Sequence, residues 1–72
     1  MTEMATIEVR INGDDRGIPP GLSVRELLEW LDLNPLLVVV ELNREILDRE
    51  LYGETRIAEK DVLELVHFVG GG

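Results

Sequence analysis

One stretch of this chain carries the period of a helix, and the segments on either side of it carry the alternation or the dense β-branched character of strands. Counting from Val24, the apolar residues Leu27, Leu28 and Leu31 recur at i+3, i+4 and i+7, while Arg25, Glu26, Glu29 and Asp32 fall on the opposite side. With no second helical stripe to cover it, this one must pack on a sheet. Ser23 stands as N-cap with Glu26 three residues on to complete a capping box, and Leu22 and Leu27 occupy the positions of a hydrophobic staple. The pattern predicts about three turns of helix. Trp30 lies roughly 110° from the centre of the stripe, at its boundary, where it either lids the core or meets a partner.

The strands can be read around that helix. Thr6 to Ile11 alternates, with Ile7, Val9 and Ile11 on one face and Glu8 and Arg10 on the other, and Asn12-Gly13 follows as a two-residue hairpin signal. Asp14 and Asp15 are assigned to the turn and Arg16-Gly17-Ile18 to a return strand that Pro19-Pro20-Gly21 stops. After the helix, Asn34-Pro35 breaks the chain, Leu36 to Leu42 reads as a covered strand, and Asn43-Arg44-Glu45 turns into a short Ile46-Leu47 segment. Asp48 to Lys60 is charged and irregular, with Leu51, Tyr52 and Ile57 expected to anchor it, and Glu59-Lys60-Asp61 is the last turn. In the run from Val62 to Val69, Leu63, Leu65 and His67 fall on one face and Val62, Glu64, Val66 and Phe68 on the other, as expected of a central strand. The order predicts an α+β fold with a mixed sheet of four to five strands, the first and last parallel at its middle, and the helix on one face. The other face is expected to be partly open. Val66 and Phe68 would then form an exposed docking patch, unless Phe68 folds over the sheet edge.

The run from Val62 leads directly into Gly70, Gly71 and Gly72, so the reading divides the chain into one domain over residues 1–69 and a flexible tail over 70–72. Glycine loses the most conformational freedom on ordering, so such a tail adds nothing to stability; its use would be steric, threading a narrow channel to present a terminal carboxylate. A frayed end that happens to be glycine-rich is the plainer alternative. Composition limits the chemistry further. At 72 residues there is room for one small core, and without cysteine there is neither a disulfide nor a thiol on which sulfur could ride. The net charge of −8, from 15 acidic and 7 basic residues, disfavours nucleic acid and anionic membranes; it either suits a basic groove on another protein or simply keeps a small domain soluble. Arg44, Arg49, Arg56 and Lys60 are interleaved with acids and read as solvated surface. His67 is the only histidine, with no converging partner, so neither a catalytic residue nor a metal site is assigned. No signal-like or membrane-spanning segment is recognised, and a cytoplasmic location is expected.

Taken together, Asn12-Gly13 after the first strand, the Leu27-Leu28 helix, Val38 to Leu42 leading into Asn43-Arg44-Glu45-Ile46, and Asp61 to Gly72 resemble the thiamin-pathway sulfur carrier proteins of the ubiquitin-like β-grasp fold. The resemblance implies that an adenylating, E1-like enzyme activates the Gly72 carboxylate with ATP, and that a cysteine desulfurase or persulfide donor supplies sulfur. It further implies that the resulting thiocarboxylate serves thiazole synthase, with Gly70 and Gly71 giving access. The chain itself would be a monomeric co-substrate with no bound cofactor. Two departures from the family pattern stand out: Arg44 where glycine is common after Asn, and Glu59-Lys60-Asp61 in place of a glycine-containing turn. The small subunit of molybdopterin synthase, a ubiquitin-like protein modifier and a binding module with idle glycines remain as alternatives.

Overall fold

The computed structural model describes residues 5–68. Within them the order is β1 (Ile7–Ile11), β2 (Asp14–Ile18), α1 (Val24–Trp30), β3 (Val38–Leu42), β4 (Glu45–Ile46) and β5 (Val62–His67), with 3₁₀ turns over Pro35–Leu37 and Arg49–Leu51. The strands form one mixed sheet in the order β2-β1-β5-β3-β4; β1 and β5 are parallel and the other pairs antiparallel. Side chains from α1 and from the inward positions of the strands, among them Val9, Ile18, Leu27, Leu28, Val40 and Leu63, make one core. Each fully buried side chain of this kind contributes about 1.5–3 kcal/mol.

The turns follow local chemistry. Asn12 and Gly13 both hold positive φ, 51° and 86°, as a primed turn requires, and Ile11 pairs directly with Asp14. The turn is therefore complete at Gly13, and Asp14 and Asp15 belong to β2 rather than to the turn. Asp15 lies across from Arg10 and accepts from its Nε at 3.0 Å, an exposed pair of small energetic weight. The capping box forms as expected: Ser23 Oγ accepts from the Glu26 N–H at 3.0 Å, and Glu26 Oε1 accepts from the Ser23 N–H at 2.8 Å.

Three further expectations need correction. The helix is nearer two turns than three, because Asp32 enters the left-handed region (φ 66°) and the N–H groups of Asp32 and Leu33 return to the carbonyls of Glu29 and Leu28. This is a Schellman closure with aspartate where glycine is usual. Leu36 and Leu37 are not part of a strand: Asn34 Oδ1 caps the Leu36 N–H at 2.9 Å, and Pro35 opens a 3₁₀ turn that leaves Leu36 exposed. Leu51 is exposed and does not anchor its loop, whereas Tyr52 and Ile57 are buried. Of the adjacent Leu51 and Tyr52, the tyrosine turns inward, where its hydroxyl finds two backbone partners.

Those partners show how the sheet is finished where strands run out. On the side of β3 away from β5, the Tyr52 hydroxyl donates to the Val38 carbonyl at 2.8 Å and accepts from the Val40 N–H at 3.2 Å, filling a place that the two-residue β4 does not reach. On β5, the Asn12 carboxamide accepts from the Leu65 N–H at 2.7 Å and donates to the Leu65 carbonyl at 3.2 Å, just beyond the last paired residues of β1. Asn43 clamps the start of β5 through Val62 and Asp61. Tyr52→Phe should thus lower stability by about 1–3 kcal/mol, since it strands a buried donor and acceptor. Asn12→Gly, which keeps the turn but deletes both bonds to Leu65, should cost about 1–2 kcal/mol. Urea unfolding monitored by circular dichroism checks both, and a loss within error of zero would show that water replaces these side chains at no cost.

Candidate functional site

β5 is the central strand of the sheet and the one that leads into the C-terminal glycines. Gly70, Gly71 and Gly72, the expected carrier residues, lie outside the described residues, as does Val69. What the structure positions is the platform before them. Leu63 is buried and Leu65 half-buried on the helix side, while Val62, Glu64 and Val66 point to the other face. Val66 and Phe68 are each 54% exposed, so Phe68 does not fold away over the sheet edge.

The face opposite the helix divides into two halves. Toward β3 and β4, Val39, Ile46, Val62 and Val66 line a shallow apolar depression, with Glu41, Glu64 and Arg44 among its lining. Toward β1 and β2, the depression is charged and is lined by Glu8, Arg10, Asp15, Glu59 and Lys60. Ile46, at 71% exposed, and Val62, at 39%, are large apolar side chains left in water by a chain this small. With Val39 and Val66 they form a patch of exposed and half-exposed apolar side chains on this face. Sequence reasoning put Val66 and Phe68 in the patch and Val62 on the same face of the strand, but missed Val39 and Ile46. Their membership follows from register: Glu41 pairs with Ile46 and Val39 with Val66, which puts all of them on one face. Parity along a two-residue strand cannot be assigned until its partner is known.

The remaining candidates do not converge. His67 lies opposite Val38 and is exposed. Among the described residues no group of His, Cys, Asp or Glu has the disposition of a metal site, and no helix is long and apolar enough to cross a membrane. The basic residues Arg44, Arg49, Arg56 and Lys60 are exposed, and two of them fasten loops: Arg49 donates to the Pro35 carbonyl at 3.3 Å and Arg56 to the Gly21 carbonyl at 2.6 Å. Both departures from the family's turn pattern are accommodated without glycine, Arg44 at φ 75° and Lys60 at φ 73°. Positive φ at a long side chain carries a modest conformational cost that the surrounding sheet absorbs.

The chain resembles known proteins in both sequence and structure. It is 44% identical to the sulfur carrier protein ThiS of Bacillus subtilis over 50 residues, covering 69% of this chain and 76% of that protein. It is 35% identical to thiazole synthase of Magnetococcus marinus over 66 residues, 92% of this chain but only 20% of that longer protein. The crystal structure of the thiamine biosynthesis protein ThiS from Geobacter metallireducens superposes with a TM-score of 0.78 at 35% identity, over 92% of this chain and 100% of that one. That match identifies the five-stranded mixed sheet and single helix as the ubiquitin-like β-grasp fold. The sequence model of the ThiS family matches residues 9–72, glycine tail included, and the chain accordingly belongs to the ThiS family.

Proposed function

We propose that this chain is a sulfur carrier of thiamin biosynthesis, with the Gly72 carboxylate as the atom-bearing group. The observation that carries this reading is the apolar half of the open sheet face, set on the strand that runs into Gly70, Gly71 and Gly72. A catalytic pocket of its own is not needed for such a role. The adenylating enzyme binds ATP, and the Gly72 carboxylate attacks its α-phosphorus, releasing pyrophosphate and leaving an acyl adenylate. A persulfide sulfur from a cysteine desulfurase then adds to the carbonyl and expels AMP. Thiol cleavage of the resulting S–S bond leaves the thiocarboxylate, which thiazole synthase consumes. The carrier is in this scheme a co-substrate rather than an enzyme, a cytoplasmic monomer when free, with no cofactor of its own.

The residues suit their parts. An α-carbon without a side chain at Gly72 leaves the carbonyl open on both faces, and Gly70 and Gly71 let the tail pass through a pocket wall. Val66 and Phe68, with Ile46, Val62 and Val39 beside them, supply the apolar centre of a docking surface, and the overall negative charge steers the carrier to a basic rim on its partners. The relatives' names favour thiamin over the molybdenum cofactor. In the Magnetococcus protein a carrier-like segment and a thiazole synthase share one chain, which supports thiazole synthase as the consumer.

Three outcomes are expected. Carrier co-expressed with its adenylating enzyme and desulfurase should gain, in intact mass, the difference between one sulfur and one oxygen. Gly71→Val should retain the wild-type unfolding midpoint while ATP–pyrophosphate exchange falls by about 10²-fold or more, because a branched side chain displaces the reacting carboxylate. Val66→Asp, which buries a charge in the docking centre, should weaken binding to the adenylating enzyme by about tenfold or more without unfolding the domain. Normal adenylation of the Gly71→Val variant would remove the steric argument for the tail.

A further inference from the structure

β5 is paired on each side only as far as its neighbours extend. On the β3 side the ladder continues past the end of the strand, where the Phe68 N–H donates to the Leu37 carbonyl at 2.8 Å. On the β1 side the register stops at Ile11 and Leu63, because β1 turns away at Asn12-Gly13, and the Asn12 carboxamide stands in for a strand at Leu65. Backbone groups along a strand point alternately to its two sides, so the next N–H and C=O aimed at the β1 side are those of His67. Neither has a hydrogen-bond partner among the described residues, and His67 is exposed. One donor and one acceptor at strand spacing on an open edge are complemented by another extended backbone.

We propose that thiazole synthase supplies that backbone: an extended segment of the enzyme pairs with His67 and adds a strand on the β1 side of β5 where the carrier's own sheet stops. The proposal rests on the carrier reading above. The four residues that follow Phe68, ending in Gly72, span at most about 14 Å, so any enzyme that takes the acyl end must lie against this end of β5. A pair of backbone hydrogen bonds there would set the direction and register in which the tail enters the active site, using no side chain of the carrier. Thiazole synthase is preferred over the adenylating enzyme because a carrier-like segment occurs within a thiazole synthase chain, where a fixed strand pairing has a permanent partner.

Amide hydrogen exchange of the isotopically labelled carrier, free and bound to thiazole synthase, reads this directly. The His67 N–H should exchange at least about tenfold more slowly in the complex. His67→Pro deletes an N–H that the β3 ladder does not use, a placement that an edge strand tolerates, and should weaken the complex by about tenfold. His67→Ala keeps the backbone and should bind as the wild type does. A bound carrier whose His67 amide exchanges as fast as in the free protein overturns the proposal, as does protection by the adenylating enzyme alone. Should His67→Pro fail to fold, the exchange measurement on the wild type decides. If the wild-type carrier forms no complex with thiazole synthase, the carrier reading fails too; a complex with His67 unprotected overturns the strand pairing only.

Discussion

The structure depends on the pairing of β5, whose two neighbours come from the first strand and from the middle of the chain. A central strand can be buried only if its N–H and C=O groups all find partners, and an unpaired one costs about 1–3 kcal/mol. β1 and β3 supply most of them, and the parallel pairing with β1 brings residues some fifty positions apart into register. Where the neighbours end, side chains take over: Asn12 at Leu65, Asn43 at Val62, and on the far side of β3 the Tyr52 hydroxyl between Val38 and Val40. Two of these residues sit in hairpin turns. Their positive φ and their carboxamides serve two purposes at once, since the backbone that reverses the chain also aims the amide at the neighbouring strand.

Much of this was legible from local signals. The alternation in β1, the Asn12-Gly13 turn, the Ser23 and Glu26 capping box and the stripe of Val24, Leu27 and Leu28 each specify their own geometry, and the structure realises them. The end of the helix was not legible because aspartate, not glycine, takes the left-handed closing position at Asp32. Leu36 and Leu37 misled through their apolarity: the Asn34 cap and Pro35 favour a 3₁₀ turn, and a local hydrogen bond outcompetes a strand assignment based on composition. Leu51 and Tyr52 could not be ranked from sequence, because which one turns inward depends on distant carbonyl and amide groups of β3. The candidate site was half visible. Val66 and Phe68 follow from their position on the last strand, but Val39 and Ile46 join them only through cross-strand register.

The sheet is chemically asymmetric on its open side. Charged residues of β1 and β2 face water there, whereas β3, β4 and β5 expose valine and isoleucine, with Phe68 exposed just beyond the end of β5. The apolar half is thus concentrated where an enzyme engaging the tail must sit. Burial of these side chains in a complex would recover hydrophobic free energy that the isolated domain forgoes.

Adjacent letters of β5 answer to different demands. Leu63 and Leu65 look toward the helix and the folding of the domain, while Val62, Glu64 and Val66 look outward to whatever the domain meets. Mutational drift in one set therefore leaves the other largely untouched, and lineages can retune whom they associate with while the scaffold stays constant.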